Sequence, residues 1–424
     1  MKAGEGRNRF ECSPGPHSPG PIVLAMWVAV VIAVAIWTHF ETPGWDVRVY
    51  VAAIHSLRAG HDPYADAMAI QQAYHDRQGD LSGDPPYSYV YSPITLPLLR
   101  AIGRAPLRLC GTVYWLVYIA SVLASIWIAM QFVQEGERHF FGYLAPAAAF
   151  FPGLLLNGTV LSGNVAYLLY AAALCAALAG WRRGVWGWFY AVVLLASCVK
   201  APLLSLVAIP VLSARGQWRK AALTIAAGIG LFVVQPLVWP SLFRNYLEAV
   251  DLQFLFNRDF GCSPAGLFSD AIFRMGVPYS PFGLLFYLFY AVPLFAVLLY
   301  LSGRYLRGDL TLNQWAPVLL AGVILLNPRI MEYDVAPITL PLALIAWRFA
   351  VRTASTTRGA ALYCAVVFGA TNAVASYGWY IRKLVDAPLL VAIFAAGCWS
   401  LWKRPRTSNA AVLLLETVPG TEIH

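Results

Sequence analysis

Residues 281–301 read PFGLLFYLFYAVPLFAVLLYL, twenty-one positions without one charged side chain. Wound as an α-helix at about 1.5 Å per residue, such a stretch spans about 30 Å, the thickness of a bilayer's hydrocarbon core. Thirteen apolar segments divide the chain: 21–40, 93–107, 111–132, 141–156, 164–180, 185–199, 201–214, 219–238, 281–301, 312–327, 335–351, 359–379 and 386–402. Of 424 residues, 59% are hydrophobic and 12% charged, half the charge that a water-facing surface needs. A soluble enzyme, a disordered chain and a disulfide scaffold are thereby excluded. The sequence predicts an all-α polytopic membrane protein. Residues 21–403 form one transmembrane domain between cytoplasmic tails at 1–20 and 404–424.

The net charge of +9 comes from short basic clusters between apolar blocks, with no basic stripe interleaved with aromatics. That pattern fits cytoplasmic loops under the positive-inside rule and excludes a nucleic-acid partner. Lys2, Arg7 and Arg9 at one end and Lys403, Arg404 and Arg406 at the other place both ends inside. An even number of crossings follows, about 12, so one short proline-broken segment, 93–107 or 141–156, does not cross. Arg182/Arg183, Arg215/Arg219/Lys220, Arg304/Arg307 and Arg352/Arg358 then fall inside, and 41–92, 239–280, 328–334 and 380–385 outside. The seven cysteines have neither CxxC nor metal-ligand spacing, and no metal or cofactor is expected.

Loop 41–92 carries seven acids against three arginines and is far longer than a helix connection requires. Val47, Tyr50, Val51, Ile54 and Leu57 recur at helical spacing, which predicts an amphipathic helix over 46–59, ended by Gly60, on the membrane surface. A second polar helix is expected near 66–78, and another short amphipathic stretch near 241–256 in the second long loop. Tyr89…Pro93-Ile94-Thr95-Leu96-Pro97-Leu98 repeats as Tyr333…Pro337-Ile338-Thr339-Leu340-Pro341-Leu342, read as one helix start used twice.

The residues that can carry chemistry lie at the outer boundary. Asp46 opens the surface helix, either as an acid stabilising a helix N-terminus or as a carboxylate base. Lys200 stands at a hairpin tip, either snorkelling or holding a phosphate. Asn327-Pro328-Arg329 and Glu332-Tyr333-Asp334 form a third cluster. In it Arg329 grips phosphate oxygens, and Asp334 orients a sugar hydroxyl or pairs with Arg329. Ser162-Gly163-Asn164 makes a fourth turn, with Asn164 a hydrogen-bond donor to sugar or phosphate. Polar groups at a membrane edge are costly, and their convergence on one face points to function.

Asp46-x-x-Val49-Tyr50, Leu57-x-Ala59-Gly60-x-Asp62-Pro63-Tyr64 and Tyr91-Ser92-Pro93, followed by Gly163-Asn164-Val165 and Lys200-Ala201-Pro202, resemble glycosyltransferase family 87 over roughly residues 20–350. These are multi-spanning mannosyltransferases of the GT-C architecture. The resemblance implies a polyprenyl-phosphate sugar donor, typically mannose, used with inversion on the outer face of a bacterial inner membrane. A lipid or glycan would be the acceptor. It assigns Asp46 as the base that deprotonates the acceptor. Lys200 and Arg329 then meet the donor phosphate, and Asn164, Asp62, Tyr64, Tyr91, Tyr333 and Asp334 are candidates for substrate contact. Two competing readings remain: a transporter or flippase of a polar or lipid-linked substrate, and a non-catalytic envelope scaffold.

Overall fold

The computed structural model describes residues 29, 33, 44–76, 89–134, 137, 162–257, 261–276, 282–354, 356–375, 377 and 379–402. The tails, segment 141–156, nearly all of segment 21–40, and loop residues 77–88 with Asp80 and Asp84 lie outside the described residues. Within the described residues there is no strand, and a single isolated bridge joins Gly261 to Ile330. The helices, in chain order, begin with α1 (Trp45–Arg58), α2 (Pro63–Asp76), α3 (Leu96–Ile102), α4 (Leu107–Met130), α5 (Val165–Arg183) and α6 (Gly187–Val199). There follow α7 (Ala208–Ser213), α8 (Trp218–Val238), α9 (Pro240–Asn257), α10 (Pro264–Arg274) and α11 (Phe282–Leu306). The last are α12 (Leu312–Leu325), α13 (Glu332–Val335), α14 (Thr339–Thr353), α15 (Thr357–Ala375) and α16 (Trp379–Trp402). Among them seven stretches are long and apolar enough to cross a bilayer: α4, α5, α8, α11, Glu332–Thr353, α15 and Ile381–Trp402. The chain is an integral membrane protein.

The bundle is organised around α12, which is apolar on every side and buried along nearly its whole length. Its own Trp315 and Trp347 of α14 are fully buried, and the Trp315 indole donates to the Leu212 carbonyl at 3.3 Å. Gly322 and Gly397 let helices close in, since a Cβ at either would meet Leu298 or Val318 side-chain atoms at 2.5 and 2.9 Å. By contrast α8 and α11 keep broad apolar faces exposed, Leu223, Leu237, Phe289 and Val292 among them, as lipid-facing helices do.

The loop helices form a second, smaller layer. Val49, Ala53, Tyr64, Tyr89, Leu96 and Ala249 make a separate core in which α1, α2, α3 and α9 pack on one another. The predicted surface helices are therefore present, α1, α2 and α9 agreeing within a few residues, but their apolar faces cover each other. The segment 93–107 settles here. Pro93–Thr95 is a 3-10 turn and α3 adds seven residues, about 15–17 Å in all and half a hydrocarbon core. Arg58 of α1 also donates to the carbonyls of Gly103 and Ala105 at 2.7 and 3.0 Å, fixing this segment beside the loop layer. It does not cross. The repeated Tyr…Pro-Ile-Thr-Leu-Pro-Leu motif folds alike both times, a 3-10 turn (Pro93–Thr95, Ala336–Ile338) running into an α-helix.

The opposite end of the bundle is basic. There the arginines meet helix C-terminal carbonyls, where the helix dipole favours cations. Arg304 reaches Leu401 (2.8 Å), Arg352 reaches Ser400 (3.2 Å) and Arg215 reaches Leu306 (3.3 Å). Arg348 holds Glu137 at 2.7 and 2.9 Å together with the carbonyls of Phe132 and Asn313. The segment 380–385 forms the start of α16, with Arg382 and Lys383 paired to acids inside the bundle.

Replacing one member of a buried ion pair costs about 3–5 kcal/mol, whereas replacing both with apolar groups costs little. Arg348→Met is therefore expected to lower the unfolding temperature in detergent clearly. Adding Glu137→Met should recover most of the loss; equal losses in single and double variants would show that the carbonyl contacts dominate.

Candidate functional site

At the non-basic end, α1 begins after Gly44 and brings Asp46 into its first turn. The Asp46 Oδ2 atom is buried with no hydrogen-bond partner. Burial pushes the carboxyl up to about 6, against hydrogen bonds from Asn164 and Ser162 and the charge of Lys200, which pull it down; Glu332 adds a smaller upward push. Asn164 is the N-cap of α5, its Oδ1 accepting from the Ala166 N–H at 2.8 Å.

A layer of tyrosines adjoins Asp46. The Tyr50 hydroxyl lies 2.9 Å from that of Tyr91 and accepts from the Val165 N–H at 3.0 Å. Tyr114 donates to the Gly163 carbonyl. Tyr91 is aimed by the residues behind it: Tyr64 donates to its carbonyl at 2.6 Å, and the Tyr89 ring lies 5.5 Å from its own. Asp62 in turn accepts from the Tyr64 N–H at 2.9 Å and from Asn245 at 2.6 Å. Asp62 and Tyr64 thus act one layer back, holding the loop helices together rather than meeting the space beside Asp46.

Lys200 does not snorkel. Helix α6 has 13 residues, about 20 Å, and its C-terminal end is recessed in the bundle. There Lys200 is 9% exposed, donates to Asp334 Oδ1 at 2.5 Å and lies 4.4 Å from the Tyr333 ring centre. Asp334, fully buried, also accepts from the Met331 N–H at 3.0 Å, so the partner of Asp334 is Lys200. Arg329 stands within electrostatic reach of both Lys200 and Tyr333.

The turn 327–334 is held from both sides. The Arg329 N–H donates to Asn327 at 3.1 Å, and the Cys262 N–H donates to the Ile330 carbonyl at 2.6 Å. Gly261, at φ +62°, is required there, because a Cβ would sit 2.0 Å from the Ile330 oxygen. Glu332 pairs with Arg382, and Lys383 with Asp270 at 3.2 Å, tying α13, α10 and α16. Sequence reading missed Arg382, Lys383, Asp270 and Asp386. Their one visible signal was three ionisable residues within five positions at the head of an apolar segment.

The structure therefore gathers Asp46, Asn164, Tyr91, Lys200, Arg329, Tyr333 and Asp334 at one end of the bundle, with Asp62 and Tyr64 behind. The arrangement offers a buried carboxylate oxygen open to a proton and two cations for an anion. Among the described residues no group of three His, Cys, Asp or Glu could hold a metal ion. The sequence matches no family model and no curated protein.

The raised carboxyl has a stability consequence. A folded-state value near 6 against 3.8 in the unfolded chain means that folding binds a proton at Asp46 more tightly. That contribution is present below 3.8 and is lost as pH rises through 6. Asp46→Asn should therefore be more stable than wild type at pH 8, by on the order of 2–3 kcal/mol, and equal to it near pH 4. Unfolding curves at the two pH values check the sign; a variant less stable at pH 8 would mean that the charged carboxylate is well solvated.

Proposed function

We propose that this protein is an inverting membrane glycosyltransferase that moves a sugar, mannose by the family resemblance, from a polyprenyl-phosphate carrier to a lipid or glycan acceptor. The observation that carries the reading is Asp46: a carboxylate with one buried, unpaired oxygen, near neutral in its titration, within reach of Lys200, which Arg329 adjoins. A hydrophobic carrier keeps its tail in lipid, so its reacting phosphate must meet the protein at the membrane boundary. The layer of α1, α2, α3 and α9 over one end of the bundle suits such a site.

In the transfer, Asp46 takes the acceptor hydroxyl proton as the oxygen attacks the sugar's anomeric carbon from the face opposite the phosphate. The sugar–phosphate C–O bond breaks with its electron pair on phosphate. The leaving group gains one negative charge as Asp46 loses one, so the site's charge is conserved. Lys200 and Arg329 stabilise the developing phosphate charge more in the transition state than in the ground state. A phosphate leaves unprotonated, so one base suffices and no second carboxylic acid or metal is required.

In our reading the site end faces outward. The arginine-rich end faces the cytoplasm, as the positive-inside rule prefers. About twelve crossings is the count proposed, with 93–107 not among them. The compartment proposed is a bacterial inner membrane. A transporter or flippase is the competing reading; it predicts movement of an intact substrate with no new glycosidic bond.

The test is purified protein in liposomes with radiolabelled polyprenyl-phosphate mannose and membrane lipid extract. A new labelled glycolipid is expected, with Asp46→Asn slowing its formation 10²–10⁴-fold while donor binding persists. Arg329→Gln should weaken donor affinity roughly 10–100-fold. Labelled donor crossing the bilayer unchanged, at equal rates in wild type and Asp46→Asn, would replace the enzyme with a transporter.

A further inference from the structure

The turn Ser162-Gly163-Asn164 meets the first turn of α1 so closely that each polar atom in it has a single assignment left. Asn164 Oδ1 is occupied as the N-cap of α5, so its amide NH₂ is the group that faces Asp46. Ser162 Oγ accepts from the Asn164 N–H at 3.2 Å, so its hydroxyl hydrogen is the one given to Asp46. Asp46 Oδ2 has no partner, so both donors converge on Oδ1.

The turn cannot drift away from α1. Its Gly163, at φ +65°, is pressed onto the helix, where a Cβ would stand 2.5 Å from Val47 Cγ2. Tyr114 holds the Gly163 carbonyl. Tyr50, one turn beyond Asp46, takes the Val165 N–H at 3.0 Å, one of the orphan donors of the α5 N-terminus. The N-terminus of a 19-residue helix is thereby aimed at the carboxylate.

We infer that Ser162 and Asn164 are positioning residues for the base: they clamp Asp46 Oδ1, set which carboxylate state prevails, and leave Oδ2 as the one oxygen that receives the acceptor's proton. Asn164 then acts through Asp46 and makes no contact with sugar or phosphate. This rests on Asp46 being the base. Proton transfer runs from the acceptor O–H to Oδ2 as the acceptor oxygen bonds the anomeric carbon, and the electron pair of the broken C–O bond leaves with phosphate. The other titratable and charged groups facing Asp46 are Lys200, Glu332 with its partner Arg382, and Tyr50, Tyr91, Tyr114, Tyr118 and Tyr333. All of these remain in the variants below.

Two measurements separate the clamp from the base reading. The first follows the protonated-carboxyl infrared band of Asp46, identified by its loss in Asp46→Asn, as full-length protein in nanodiscs is titrated. Ser162→Ala removes one donor, and Asn164→Ser keeps a capping hydroxyl for α5 but is too short to reach Asp46. Each should raise the midpoint by roughly one pH unit, because a donor to the charged form is lost; Ser162→Thr should restore it. The second is transfer from polyprenyl-phosphate mannose against pH. The acid limb should move alkaline by the same amount, with rates roughly 5-fold lower at pH 6 and near wild type by pH 9.

An infrared midpoint that stays put in both variants would overturn the clamp. So would a loss of transfer that is equal at every pH and resides in KM, since a sugar contact behaves that way. If the midpoint moves while Asp46→Asn still transfers at the wild-type rate, the contacts stand but the base reading fails.

Discussion

An ammonium and a carboxylate held 2.5 Å apart inside an apolar bundle set the terms for the site end of this protein. Lys200 caps the C-terminal end of α6, and Asp334 sits in the short helix α13 ahead of α14. Both charges are buried, and removing either partner would leave the other uncompensated. The pair therefore fixes the depth of the hairpin and the position of turn 327–334 together. Everything polar nearby is arranged with respect to it: the Tyr333 ring over the ammonium, Arg329 on the same turn, and Asp46 within reach of the lysine's charge.

The loop layer completes this arrangement from above. Its own small core lets α1 present Asp46 and Tyr50 downward, while Gln235 of α8 anchors the layer by accepting from Ser92 Oγ at 2.5 Å and from the Ile94 N–H at 3.1 Å. Two unlike packing regimes thus meet at the site. One is a lipid-immersed bundle whose outer helices leave Leu and Phe exposed. The other is a covered layer in which apolar faces are satisfied by each other. A charged reaction centre at that junction has a low-dielectric floor and a polar roof, which is where fixed dipoles act most strongly on developing charge.

The distribution of arginine follows the same logic at the far end. Carbonyls at helix C-termini in a bundle of this kind lack partners, and guanidinium groups fill them from the aqueous side. Charge asymmetry between the two ends is in this way a by-product of satisfying backbone, as well as a signal for orientation.

Much was legible in the sequence, because the relevant physics is local. Helix-length runs without charge mark lipid-spanning or buried helices whatever their neighbours, and 3.6-residue periodicity marked α1 before any partner was known. The Pro-Ile-Thr-Leu-Pro motif folds twice alike because proline at a helix start acts through its own φ and its missing N–H. Pairing was not legible. Lys200 and Asp334 lie 134 residues apart, and Lys383 and Asp270 lie more than a hundred apart, so only the packed chain decides that they meet. From sequence, 380–385 therefore reads only as lying outside, and Lys200 as either snorkelling or holding a phosphate. The roles of Asp62, Tyr64 and Asn164 likewise depended on which of their atoms the backbone had already claimed. Sequence alone determined that the chain would be a helical membrane protein with an acid-rich first long loop. Tertiary structure decided which acids keep a buried, unpaired oxygen, since burial and hydrogen bonding are properties of neighbours brought together only by folding.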